Sequence, residues 1–336
     1  MKKNIKLSKK KYFKLGKIPL GIGAIMDGWD FSEEEFRNSR CLNIEFRAFK
    51  NACPLNCPYC FTDKIKSDLT LDEIRDVILQ LKELGTKTIN FVGEGEPTID
   101  KNFLDVMSFC YKNNIKPIVF SEGTTKLGNI DFIKKLKQYD VTIVLKCDSL
   151  FNEEYQNKIV GSKNYFKKRN KILNFLMKNN FNKSNEKGTT HLALNMIVTR
   201  SNKSEVLKTV EFCRKNNIFV MLVEYLPTGR VEKKDFDKSS ILFRDDIKKI
   251  RNQINDLDSK KYGFIHDSFT SYSFVPCTIY GGVHIYGNGD VARCAGNAKV
   301  LGNIRNESLK KIWNKIKLDK NKFHGNCPYR NEAWGK

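Results

Sequence analysis

The chain has no apolar run of the roughly 20 residues that a membrane span needs. Its longest runs, such as Val141–Leu145, are strand-sized. Gly21–Met26 is too short for a secretory signal core, and no small-residue cleavage site follows it. The expectation is a cytoplasmic protein with no membrane partner. Histidine is scarce, with four in 336 residues. His191, His266 and His284 show no metal-like spacing and read as packing or hydrogen-bonding residues. Gly21-Ile22-Gly23 lacks the strand-then-helix setting of a dinucleotide loop, so no nicotinamide fingerprint is present. There is no internal repeat and no long disordered tract.

Acidic residues are in deficit: 38 Asp and Glu face 60 Lys and Arg, a net charge of +22. The charges are spread along the chain rather than blocked into a tail. No nucleic-acid-binding motif accompanies them, so a nucleic-acid partner is left open without support. The charge is used only as an argument about solubility and association.

What is present is a regular alternation. Strand patterns at Leu42–Phe46, Thr88–Val92, Lys116–Phe120, Thr142–Lys146, Leu192–Val198 and Phe219–Glu224 are separated by helical patterns near 70–85, 101–114, 129–138, 164–180 and 203–216. Thr70 or Asp68 caps the first helix and Gly85 stops it. Six strands joined by helices imply a parallel sheet with right-handed crossovers. The expected fold is α/β, a partial (β/α)6 TIM-type barrel, with chemistry at the C-terminal strand ends. Residues 1–41 are expected to wrap it, 42–230 to form it and 231–269 to connect it, with a helix near 243–257. Residues 270–336 read as a small separate unit of β-hairpin and helix, with the Asn288-Gly289 turn between Val283–Tyr286 and Val291–Arg293.

Cysteine is unevenly placed. Cys53, Cys57 and Cys60 fall on one loop with C-x3-C-x2-C spacing, at a strand end. Three thiolates there can hold three irons of a [4Fe–4S] cubane and leave the fourth open. Structural zinc fits poorly, because no fourth ligand is near. The triplet, with Tyr59 before its third Cys, resembles the signature of the radical S-adenosylmethionine (radical SAM) superfamily. The resemblance covers residues 42–230. It implies an oxidoreductase-type enzyme in which the open iron chelates S-adenosylmethionine. One electron then breaks the sulfonium bond, and a 5′-deoxyadenosyl radical abstracts a substrate hydrogen.

Gly93-Glu94-Gly95-Glu96-Pro97 resembles the family's GGEP motif, with Glu94 where many members have Gly. By that resemblance Gly95, Glu96 and Pro97 line the cofactor, and Glu96 receives the methionyl amino group. Ser121, Asp148 and Asn195, at later strand ends, are the next cofactor-binding candidates, followed by the Leu226–Gly229 loop. Cys147 is expected to face the site, where a thiol could donate a hydrogen atom. Cys110 and Cys213 read as core.

Cys277 and Cys294, spaced C-x11-G-x4-C, resemble the opening of the SPASM and twitch extensions, and Cys327 adds a third thiolate. This implies one auxiliary iron–sulfur cluster. Its fourth ligand stays open among Cys41, His324, another side chain, water or substrate. Peptide or protein modification ranks first as the function. Dehydrogenation or epimerisation of a sugar or aminocyclitol, and modification of a nucleotide or RNA, are the alternatives. The forty residues before the first strand are too few for a full leader-binding winged domain, which counts against the first reading. A reductase such as flavodoxin or ferredoxin is the implied electron donor.

Overall fold

Side-chain alternation decides which wall each strand presents to the helices. In the computed structural model, which describes residues 13–15, 18–20, 43–49, 53–62, 67–183, 190–233, 236–262, 268–271, 282–315 and 327–334, a hairpin of β1 (Phe13–Leu15) and β2 (Ile18–Leu20) precedes the main sheet. Cys41, Cys277, His266 and His324 lie outside the described residues, as does most of the expected wrapping segment.

The six expected strands are β3 (Asn43–Phe46), β4 (Thr88–Phe91), β5 (Lys116–Ser121), β6 (Thr142–Lys146), β7 (Leu192–Ile197) and β8 (Phe219–Val223). They pair in sequence order, all parallel. Their connecting helices are α1 (Leu71–Glu83), α2 (Phe103–Lys112), α3 (Ile130–Gln138), α4 (Glu153–Ile159), α5 (Tyr165–Lys178) and α6 (Val206–Lys215). The fold is a partial TIM-type barrel. Thr70, not Asp68, caps α1: it closes a reciprocal capping box with Glu73. The short α4 was not expected. Its start is fixed by Asn152, whose side chain accepts from the Tyr155 amide.

Ile44, Phe46, Ile89, Phe91, Ile143, Leu145, Leu194 and Met196 pack outward with helix residues such as Val77, Leu81, Val106 and Leu176 in one core. Their neighbours Glu45, Asn90, Lys146 and Asn195 therefore face the barrel interior. Beyond α7 (Arg244–Leu257), β9 (Phe269–Ser271) adds a parallel strand beside β8.

The C-terminal hairpin shares this sheet. β10 (Gly282–Ile285) runs parallel to β3, and β11 (Asp290–Cys294) and β12 (Asn297–Asn303) follow antiparallel. The order is β12-β11-β10-β3-β4-β5-β6-β7-β8-β9. Two helices finish the described chain, α8 (Leu309–Lys315) and α9 (Pro328–Trp334). Leu309, Ile312 and Trp313 of α8 join the same core. Among the described residues no helix is long and apolar enough to cross a membrane.

Candidate active site

The three-cysteine loop leaves the end of β3 and is clamped from two sides. The Asn56 amide donates to the Val160 carbonyl at 2.9 Å. From beyond β8, the Arg230 amide donates to the Cys60 carbonyl at 2.9 Å, and its guanidinium donates to the Cys57 carbonyl at 2.9 Å. Gly229 makes this approach feasible. Its φ is +65°, and a Cβ there would lie 2.6–2.7 Å from backbone atoms of Cys60 and Phe61. The clamp was not legible as such, because Arg230 is 170 residues from Cys60 in the chain.

Cys53, Cys57 and Cys60 are half-buried free thiols. Burial pushes the Cys53 thiol up to about 11 and raises that of Cys57. Holding them as thiolates therefore calls for a cationic partner, which an iron cluster supplies. Among the described residues no three Cys, His, Asp or Glu side chains gather around a single-ion site. The donor set fits three corners of a larger cluster better than one zinc ion.

Glu96 lies beside this loop, 2 % exposed, at the head of the turn Pro97–Ile99. Its Oε1 accepts from the Thr98 amide (3.1 Å), the Thr98 hydroxyl (2.6 Å) and the Ser121 hydroxyl (2.8 Å). Among the described residues its Oε2 accepts only from the Glu122 amide, at 2.7 Å. Oε2 thus keeps a lone pair for an ammonium group. Burial, with the charge of Glu122 adding, raises the carboxyl to about 7 despite these donors. The structure thus joins two expected residues, Glu96 and Ser121. Gly93 lets the turn close, since a Cβ there would sit 2.0 Å from the Gly95 carbonyl oxygen.

Asp148 and Tyr59 also come together. The Tyr59 hydroxyl donates to Asp148 Oδ2 at 2.5 Å, and Lys146 Nζ donates to the same oxygen at 2.8 Å and to the Tyr59 oxygen. Lys146 Nζ stands 4.5 Å above the Tyr59 ring. Asn195 is opposite Lys146 in the strand register and bonds none of the other candidates. Its Oδ1 is buried and has no partner among the described residues.

Cys147 corrects an expectation. Lys146 and Asp148 face inward, so Cys147 faces outward and is buried in the helix-side core with Leu145. A thiol there cannot reach a substrate in the barrel. Cys294 ends β11 and Cys327 precedes α9. Burial pushes Cys294 up to about 12, with charge from Glu45 and Cys327 adding. Arg330 anchors this corner, donating to the Tyr225 carbonyl at 3.1 Å beyond β8.

Residues 49–213 match the family model for the radical SAM superfamily, and 277–333 match the model for the SPASM iron–sulfur cluster-binding domain. The chain belongs to the radical SAM superfamily. Membership implies a [4Fe–4S] cluster with S-adenosylmethionine, and the SPASM match implies auxiliary iron–sulfur chemistry. Two curated relatives are similar over part of the chain. The 7,8-dihydro-6-hydroxymethylpterin dimethyltransferase of Methanocaldococcus jannaschii is 27 % identical over 60 % of this chain and 40 % of its own. The GTP 3′,8-cyclase of Clostridium perfringens is 28 % identical over 61 % of each. The radical SAM chain thus spans less than two thirds of the length of either relative.

Among solved structures, Streptococcus suis SuiB bound to the precursor peptide SuiA aligns with a TM-score of 0.62 at 17 % identity, over 82 % of this chain and 65 % of SuiB. The enzyme anSMEcpe with bound AdoMet and the Cp18Cys peptide aligns at 0.62 and 16 %, over 87 % of this chain and 90 % of its own. These likenesses bear on the fold.

Proposed function

We propose that this radical SAM enzyme cleaves S-adenosylmethionine reductively and uses the outcome to modify a peptide or protein. The observation that carries the first half is Glu96. It is a buried carboxylate, fixed by four donors, with one lone pair left over beside a clamped three-thiol loop. Cys53, Cys57 and Cys60 would hold the cluster, Glu96 would receive the amino group, and Tyr59, Gly95, Pro97, Asp148 and Asn195 would line the cofactor. When bound, the cluster and S-adenosylmethionine supply a 5′-deoxyadenosyl radical that takes a hydrogen atom from substrate. The protein's own part would be to hold the cofactor's amino group at Glu96. Cys294 and Cys327, with Cys277, would hold an auxiliary cluster.

The charge pairing inside the barrel supports a peptide over a nucleotide. A triphosphate needs unpaired cations. Arg47 is bonded to Glu94, and Lys146 to Asp148. These two inward cations thus have little charge to offer a phosphate, whatever the surface carries. SuiB and anSMEcpe, whose solved structures contain peptides, share the fold. The described cysteines are free thiols, which suits a reducing cytoplasm with a flavodoxin or ferredoxin as electron donor.

The test is anaerobic reconstitution, reduction and assay of 5′-deoxyadenosine. Wild type should form it, and Cys57→Ala should not; equal formation by the variant would sink the assignment. Iron of about eight per chain, falling to about four in a Cys53/Cys57/Cys60 triple alanine variant, is expected for two cubanes. Mass shifts in a peptide library should then appear only with wild type.

A further inference from the structure

The inner wall of the barrel carries a histidine that sequence reading assigns to packing or hydrogen bonding. His284 on β10 is 0 % exposed. It faces inward, because Val283 and Ile285 on either side belong to the outer core. Opposite it in register stands Glu45 of β3, whose Oε2 is 2.8 Å from His284 Nδ1. Tyr286, two residues on, meets the imidazole edge to face at 4.6 Å. Arg47, two residues beyond Glu45, lies over the Tyr286 ring at 4.7 Å. Glu45, Arg47 and Tyr286 are thus the titratable and charged groups facing the imidazole from β3 and β10. Asn90 of β4 stands beside Glu45.

The direction of the His284–Glu45 bond is forced. Burial pushes the Glu45 carboxyl up, but the hydrogen bond from His284 and the surrounding positive charge, Arg47 and Arg330 included, hold it below its ordinary value. Burial, with the Arg47 charge adding, pushes His284 below its own. The pair is therefore a carboxylate and a neutral imidazole. A carboxylate only accepts, so Nδ1 carries the proton and Nε2 carries the lone pair. That Nε2 is buried and, among the described residues, has no hydrogen-bond partner. Buried acceptors are almost always satisfied, and phenylalanine would pack as well without the cost. Asn195 Oδ1, across the barrel on β7, is a second inward acceptor in the same condition.

We propose that His284, fixed by Glu45, accepts a hydrogen bond from an N–H or O–H group of the substrate inside the barrel. The interior then selects donor-bearing groups, such as amides, amines and hydroxyls, over carboxylates and phosphates. The inference rests on the barrel being the substrate chamber, and it narrows what enters. A peptide amide satisfies it, and so does a polyol.

The test is ring-nitrogen NMR on reconstituted, oxidised enzyme with S-adenosylmethionine bound and histidine labelled with nitrogen-15. With four histidines in the chain, His284→Phe identifies the resonance by its loss. If that variant fails to fold, Glu45→Gln identifies it by its shift. The expected spectrum shows a neutral ring protonated at Nδ1. Its Nε2 signal should move upfield with N-acetylglycinamide and stay put with methyl acetate, which only accepts. A shift with myo-inositol but not with the amide leaves the inference standing and removes the peptide reading. A protonated ring, a proton on Nε2, no shift with any probe, or an equal shift with methyl acetate overturns the inference.

Discussion

At the scale of single residues, Glu96 links charge to pH. Its carboxyl titrates near 7 in the folded chain against an ordinary value near 4.5. The raised value means the native protein holds a proton that the unfolded chain releases. Its contribution to stability is full below about pH 4.5 and is lost as pH rises through about 7. Cofactor binding runs the other way, because an ammonium is received by the ionised carboxylate. Affinity for S-adenosylmethionine should therefore rise about tenfold between pH 6 and pH 8, as one deprotonation near 7 requires. Calorimetric titration of the reconstituted enzyme at both pH values checks this. Glu96→Gln should bind weakly and without the pH dependence. A wild-type affinity that is flat with pH would remove Glu96 from the amino-group site.

At the scale of elements, the loop after β8 acts as a clamp on the cysteine loop, and Gly229 is where the two backbones meet. Alanine there must adopt a left-handed conformation, which costs about 1–2 kcal/mol, and its Cβ falls within 2.7 Å of the Cys60 carbonyl. Gly229→Ala should lower the melting temperature and lower the iron retained after reconstitution and gel filtration. Arg230→Met removes the guanidinium's bonds to the Cys57 carbonyl and the Asn56 side chain and keeps the amide bond to the Cys60 carbonyl. It should lose iron with little change in melting temperature. Full iron in both variants would show that the loop holds its shape unaided.

This scale also shows where sequence reading stopped. The six barrel strands were legible because periodicity is local, and the cysteine triplet because its spacing is local too. The Glu45–His284 pair spans 239 positions and depends on β10 choosing β3 as neighbour. No pattern within either segment announces that choice. Cys147 was misread for a related reason. A strand end was identified, but not which wall its side chain faces, and one residue decides that.

At the scale of the whole molecule, the C-terminal segment is part of the barrel's construction. β10 covers the free edge of β3, the Asp68 and Leu69 amides donate to the Gly287 carbonyl, and α8 packs into the common core. Arg305 adds an ionic tie. Its Nε is 2.5 Å from Glu73 Oε1, and a terminal nitrogen is 3.0 Å from Asp68 Oδ1, so the turn after β12 grips the start of α1. The hydrogen bond from Arg305 holds Glu73 down at about 2. Both partners are partly exposed, so water screens the tie and its worth is about 1 kcal/mol or less. Its sign with pH is definite. A lowered carboxyl gives stability that is present above the ordinary value near 4.5 and is lost as pH falls toward 2. Arg305→Ala should therefore melt a few degrees below wild type at pH 7, and the gap should narrow by about half toward pH 3, where Glu73 is still largely ionised, and shrink in molar salt. Thermal melts of the two proteins across pH 3–7 measure it. A gap as large at pH 3 as at pH 7 would mean that Arg305 holds the C-terminal segment through packing and not through its charge.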